Sequence, residues 1–389
     1  MNCDIYHTTK TELRSTQALG QGEACAPPEI LVGQYQRIIE EQRLNWTAYH
    51  RLQRLLGVGS QGKVFLSERR GADAFTLPVA LKFFSPESFT SEEHYQNSME
   101  YTASIAAQVA QIQHDNLLDV YNFVERNQIR VMVMEWIDGY DLRQLISSDR
   151  LHRLQKEVAD DRWEYINRVI ATPDTRQMRF KPGMAVAIVR DCLDALGALH
   201  RNGIVHGDIK PANIMLKKTG DCKIIDIGSS FRISDPPQHR SCTPAYAAPE
   251  VLTGELPTQK SDLASLGYTL IELLIGRSLF EGLDSYAEIL KIKRELPEKL
   301  STILPADIAV NPLLTSFCKQ LIMVDPQDRF PTAEVAELHK NGAAAFHRQL
   351  VKGDLSSEYN NELRLWINEL QEIDRKAEKK LKERAQSEG

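Results

Sequence analysis

The residues best suited to chemistry lie in one short run, His206-Gly207-Asp208-Ile209-Lys210-Pro211-Ala212-Asn213-Ile214, followed by Ile224-Ile225-Asp226-Ile227-Gly228. A carboxylate is followed by a lysine two positions on, an amide five positions on, and a second carboxylate beyond an apolar strand. Phosphoryl transfer needs these types. Asp208 would orient a hydroxyl and take its proton, and Lys210 would neutralise charge on the moving group. Asn213 and Asp226 would hold a divalent cation, Mg2+ or Mn2+. A turn rich in Asp, Pro and Asn is the plain alternative, but the combined spacing argues against it.

Further upstream stands Gly57-Val58-Gly59-Ser60-Gln61-Gly62-Lys63-Val64. Glycines allow positive φ and close backbone approach to a phosphate, yet a lone glycine pattern fits a dinucleotide site or a simple hairpin equally well. The next residues decide. A dinucleotide site wants a helix there, whereas Lys63-Val64-Phe65-Leu66 reads as a strand, so a hairpin over phosphates is expected. Lys82 ends the apolar run Val79-Ala80-Leu81. Alone it reads as a solvated strand end; beside the glycine hairpin it becomes a candidate phosphate ligand.

These residues need a scaffold. The chain has 389 residues, 42% hydrophobic and 26% charged, with 47 Lys+Arg against 53 Asp+Glu. That balance excludes wholesale disorder, and the net charge of −6 argues against a nucleic-acid partner. No run of about 18 apolar residues predicts a membrane span. The six scattered cysteines (Cys3, Cys25, Cys192, Cys222, Cys242, Cys318) read as free thiols, so a cytoplasmic location is expected.

Residues 1–48 read as a polar arm and a helix. From about 49 to 136 short strands dominate, interrupted by a helical pattern over about Glu92 to Ile112. From Leu142 the pattern is mostly helical, with apolar-faced helices over 184–200 and 262–275. The fold class is therefore α+β, a small β-rich lobe before a larger helical one. Residues 147–183 are highly charged and read as an insertion. The tail, 341–389, carries Tyr359, Leu363, Trp366, Leu370, Ile373, Ala377 and Leu381 at near-heptad steps.

With these motifs in order, the chain resembles the eukaryotic-type protein kinases, in the form found in bacterial Ser/Thr kinases, over about residues 49–340. Gly57–Val64 resembles the Gly-rich loop and Val79-Ala80-Leu81-Lys82 the lysine strand. His206–Asn213 resembles the catalytic loop, Asp226-Ile227-Gly228 the D-F-G turn and Ala248-Pro249-Glu250 the A-P-E motif. The resemblance implies a bilobal kinase fold, with the first lobe over about 49–136 and the second over about 137–340. It implies ATP as phosphoryl donor, bound by the glycine loop, Ala80, Lys82, the hinge residues Met134, Glu135 and Ile137, and Asp141 near the ribose. Asp208 would be the base, Lys210 the γ-phosphate contact, and Asn213 and Asp226 the metal ligands. Thr243 would open the substrate platform, Asp262 would support the catalytic loop, and Arg329 would pair with Glu250.

Three departures stand out. Gly207 replaces the arginine that usually precedes the catalytic Asp, and Ile227 replaces the Phe of D-F-G. The helix glutamate expected to pair with Lys82 falls best on Glu100, 18 residues after Lys82. Glu100, however, lies 14 ahead of His114, where about nine is expected from the resemblance, and nine ahead of His114 stands Ile105. The insertion could dock a partner or be a solvated excursion. The tail seam could form a homodimer or pack on the kinase lobe. The function read is a Ser/Thr protein kinase acting on protein substrates. The alternatives are a nucleotide-binding module of the same fold without transfer activity, and a small-molecule kinase.

Overall fold

In a computed structural model of the chain, the described residues are 49–173, 177–237, 242–283, 285–352 and 359–387. The expected arm and helix within 1–48, with Cys3 and Cys25, lie outside them.

Five strands, β1 (Tyr49–Gly59), β2 (Gly62–Arg70), β3 (Thr76–Phe84), β4 (Val120–Arg126) and β5 (Ile129–Glu135), form one sheet in the order β1-β2-β3-β5-β4. β3 is central, and Val79 to Lys82 is buried throughout, as expected for a strand covered on both faces. Its register sets Lys82 opposite Val64 on β2 and Met132 on β5, and Ala80 opposite Met134. The β1–β2 turn is Ser60-Gln61. It closes on Gly62, where a Cβ would lie 1.9 Å from the Phe83 carbonyl oxygen at φ +138°, so only glycine fits.

The expected helix over 92–112 is α1, Glu92–Val109; Ser91 caps it by accepting the His94 N–H, and residues 110–112 turn away from it. Its inner face buries Tyr95, Met99, Ile105, Ala106 and Val109.

The helical lobe contains α2 (Ser148–Gln155), α3 (Asp160–Val169), α4 (Pro182–Arg201), α5 (Gln259–Ile275), α6 (Tyr286–Ile303), α7 (Pro312–Leu321) and α8 (Tyr359–Ser387). Both α4 and α5 are buried nearly all round, as core helices must be if apolar on every face. A Thr258/Ser261 capping box starts α5 and Gly276 ends it at φ +68°.

The insertion is not a solvated excursion. It forms α2, α3 and a short hairpin pairing Ala171-Thr172 with Arg179-Phe180, and α8 lies against it. The tail seam is turned inward: Tyr359, Leu363, Trp366, Ile367 and Leu370 are all buried. Phe180 meets Trp366 edge-on at 5.8 Å, and Arg162 bonds Glu369 at 2.8 Å. A homodimer through these residues would first have to strip them from their own lobe.

Candidate active site

The loop from His206 to Asn213 is held from beneath by α5. Asp262, 1% exposed, accepts the backbone N–H of His206 and of Gly207, each at 2.9 Å, and its Oδ2 also meets His200 Nε2. His206 Nδ1 accepts the Asp208 N–H at 3.3 Å, so its Nε2 carries the proton given to the Ile225 carbonyl. Both contacts fix the loop before any side chain of the site is placed.

On that base the polar residues of the loop converge. Lys210 Nζ donates to Asp208 Oδ2 at 2.6 Å and to Thr243 Oγ1 at 2.8 Å, and Thr243 Oγ1 donates to Asp208 Oδ1 at 2.7 Å. Asn213 Nδ2 donates to the Asp208 carbonyl and to its Oδ2. The Asn213 amide oxygen takes no part in these bonds.

Asp226 stands in the left-handed region, φ 64° and ψ 76°, an uncommon state for a non-glycine residue, and its own carboxylate accepts the Gly228 N–H at 3.2 Å. Lys82 Nζ bonds its Oδ1 across the junction of the lobes. Burial alone would raise the Asp226 carboxyl; the Lys82 charge and its hydrogen bond, with the Gly228 N–H, outweigh that and hold it below the usual carboxylate range. An ionised Asp226 and a free amide oxygen on Asn213 form a hard, all-oxygen donor set, which fits Mg2+ completed by water and phosphate oxygens.

Glu100 does not pair with Lys82. It is exposed on the outer side of α1, and Ile105, the residue nine ahead of His114, is the one that is fully buried. The phase of α1 is set by Tyr95, Met99, Ile105 and Val109, which leaves Glu100 facing solvent. Lys82 instead takes Asp226 and Gln61 Oε1, the latter at 2.7 Å.

Met134 is 7% exposed at the end of β5, with Glu135 and Ile137 beside it. Glu135 Oε1 accepts the Asp119 N–H at 2.8 Å and is paired with Lys223, so its side chain anchors the end of β5. Asp141 ends strand β6 (Gly139–Asp141), which pairs with strand β7 (Ile214–Lys217) just past Asn213. Its Oδ1 accepts the Gln144 N–H at 2.8 Å, capping a short helical turn. Gly57, Val58, Gly59, Ser60 and Lys63 lie along the hairpin above the site; Val58 is two-thirds exposed at 66%.

Glu250 and Arg329 form a two-pronged buried pair, both bonds 2.7 Å, with Ser261 Oγ also donating to Glu250 at 2.7 Å. Burial pushes the Glu250 carboxyl up, and Arg329 more than reverses it. Gly207 adopts φ +80°, and a Cβ there would lie 2.8 Å from the Ser229 carbonyl oxygen. An arginine is thus excluded by backbone geometry as well as absent.

Two contributors have no sequence signal. Arg232 donates from Nε to Gln108 and from Nη1 and Nη2 to Ser104, stitching the segment after Asp226 to α1. Lys293 on α6, fully buried, donates to the Ala245 and Ala247 carbonyls at 2.8 and 2.6 Å and lies over the Tyr268 and Phe280 rings. In the sequence it is one lysine in a charged helix.

A five-stranded antiparallel lobe joined to a helical lobe, with this cluster where they meet, is the arrangement of a protein kinase domain. The family model described as "Protein kinase domain" matches residues 49–340, and the chain belongs to that family. It is 27% identical over 299 residues to the serine/threonine-protein kinase PrkC of Bacillus subtilis, covering 74% of this chain and 39% of PrkC. It is 29% identical over 239 residues to the serine/threonine-protein kinase PknB of Mycolicibacterium smegmatis, covering 59% of this chain and 33% of that one. The serine/threonine-protein kinase mos of Gallus gallus is 26% identical over 293 residues, 72% of this chain and 77% of mos. The chain spans well under half the length of these two bacterial relatives. Among the described residues no helix is long and apolar enough to cross a membrane.

Proposed function

We propose that this chain transfers the γ-phosphoryl group of ATP to Ser or Thr hydroxyls of proteins. The observation that carries the reading is the Asp208–Lys210–Thr243 triangle, with every edge between 2.6 and 2.8 Å. It offers a carboxylate already shaped to accept a hydroxyl proton, beside an ammonium that can meet the transferring group. The acceptor O–H gives its proton to Asp208 as its oxygen bonds to the γ-phosphorus. The bond from that phosphorus to the bridging oxygen breaks, and ADP leaves. Lys82 would hold the donor's phosphates, and the hinge from Met134 to Ile137 with Asp141 would hold adenosine. Asn213 and Asp226 would hold Mg2+, whose charge would offset that of the phosphates.

Thr243 and Lys293 favour a protein acceptor over a small molecule, because they organise the 243–250 segment into a platform beside Asp208. The four described cysteines are free thiols, which fits a reducing compartment such as the cytoplasm.

A nucleotide-binding module without transfer activity is favoured by one observation, the lack of a helix carboxylate at Lys82. Incubation with Mg2+ and labelled ATP, with and without a generic protein acceptor, separates the readings. Label on phosphoserine and phosphothreonine is expected. ATP binding with no transfer of label would leave the binding module standing instead.

A further inference from the structure

A buried ammonium needs partners for its donors. Lys82 is 4% exposed, and it has two oxygen partners among the described residues, Asp226 and Gln61. The helix beside it, α1, offers Ile105 at the inner face and Glu100 on the outside. We propose that Gln61, carried on the glycine hairpin, is the positioning residue for Lys82, doing with a neutral amide what α1 leaves undone. The proposal rests on the kinase reading above.

The amide is fixed at both ends. Gln61 Oε1 accepts from Lys82 at 2.7 Å while its Nε2 donates to Ser229 Oγ at 3.3 Å. Only this orientation gives the ammonium an acceptor, which settles the amide's sense. Gly228 makes room for it: a Cβ there would lie 2.0 Å from Gln61 Oε1. One side chain therefore joins the hairpin, β3 and the turn after Asp226. Two of the three ammonium donors are used, by Asp226 and Gln61, and the third remains for a phosphate oxygen. Because the amide is uncharged, Lys82 is neutralised by Asp226 alone and keeps more of its pull on phosphate than it would between two carboxylates.

The full-length chain and its Gln61→Ala, Gln61→Glu, Lys82→Met and Gln61→Ala/Lys82→Met variants should be titrated calorimetrically with ATP and Mg2+, and assayed for kcat and KM. Gln61→Ala is expected to lower kcat/KM for ATP by about tenfold and to weaken ATP binding, the scale of one hydrogen bond to a charged group. Gln61→Glu keeps an acceptor oxygen but sets Lys82 between two carboxylates, so it should recover part of the kcat loss while ATP binding stays weakened. In the Lys82→Met background Gln61→Ala should change nothing further, since the two act as a unit. Parental values for Gln61→Ala in both readouts would overturn the proposal. So would tighter ATP binding, because Gln61 would then be a plug competing with nucleotide. If the parent binds ATP but transfers no phosphoryl group, the kinase reading fails while the titrations still judge Gln61.

Discussion

The Asp374 carboxylate accepts the Tyr140 hydroxyl at 2.8 Å and the Arg150 guanidinium at 2.7 Å. Tyr140 lies between Ile137 and Asp141, on strand β6, and the Arg150 guanidinium rests 4.1 Å from its ring centroid. Burial, reinforced by Asp374, pushes the Tyr140 hydroxyl up to about 12, so it stays a donor at neutral pH. Gln371 adds a bond to Asp138 at 2.7 Å. The tail helix is thus bonded to the stretch that would carry adenosine.

Removing the tail should therefore weaken the fold. Trp366→Ala is expected to cost about 3–5 kcal/mol, the scale for deleting a large buried aromatic. A chain ending at residue 352 should unfold at clearly lower urea concentration than the parent. An unchanged midpoint for both would show that α8 merely rests on the lobe.

Asp208→Asn should leave ATP binding largely intact and reduce phosphoryl transfer by about 10²-fold or more, the scale of losing a positioned base. Asp226→Ala should instead abolish the Mg2+-dependent part of nucleotide binding. Titrations with and without Mg2+ beside a transfer assay distinguish the two. A fully active Asp208→Asn chain would refute the base assignment.

The convergence of Asp208, Lys210 and Asn213 was legible in the sequence because they lie within five residues of one another, where loop geometry fixes distance. Glu100 was not. Which face of α1 looks inward depends on how Tyr95, Met99, Ile105 and Val109 pack together, and spacing from Lys82 alone cannot reveal that. The insertion and the tail were each legible as charged helices, but their partnership was not. Arg162 and Glu369 are 207 residues apart, and charge complementarity over such a span leaves no periodic trace. Gln61 was read as a loop residue near phosphate. Its bond to Lys82 depends on how the hairpin folds over the sheet.

Phosphorylation within the 226–250 segment should change activity only a few-fold. Gly207 offers no charge to a new phosphate, and Arg232, the segment's arginine closest to Asp226, is already bonded to Ser104 and Gln108. Gly207→Arg should destabilise the chain without creating phosphate dependence, because the Ser229 carbonyl crowds the site. Phosphatase-treated and untreated protein should be assayed side by side; near-complete loss of activity on treatment would contradict this.

Lys293→Met should impair phosphorylation of a protein acceptor far more than ATP binding. The methionine fills much of the space but leaves the Ala245 and Ala247 carbonyls without their donor, so the platform loosens. Burial drives the Lys293 ammonium well below its ordinary range. A rise in KM for the acceptor with unchanged ATP affinity is the expected readout; equal losses in both would point to a general folding defect.

Asp191 supplies a pH test. Burial pushes its carboxyl from the ordinary 3.8 up to about 6, with the Cys222 N–H offsetting only part of that. The folded state therefore holds this proton more tightly than the unfolded one. The stability it contributes is complete below about pH 4 and is lost as pH rises through about 6. Thermal midpoints of the parent and Asp191→Asn should diverge across that window, the variant showing the flatter profile. Parallel profiles would remove Asp191 from the titration.

The docking of Trp366 on Phe180 also sets a clock on biosynthesis. The two rings are separated by 186 residues (366 − 180). At ribosomal speeds of 5–20 residues per second, roughly 10–40 s pass between making one and making the other. Throughout that interval the nascent chain displays an uncovered aromatic on a half-built lobe. The candidate site residues from Asp208 to Thr243 are synthesised early in the same interval, well before the helix that covers Phe180.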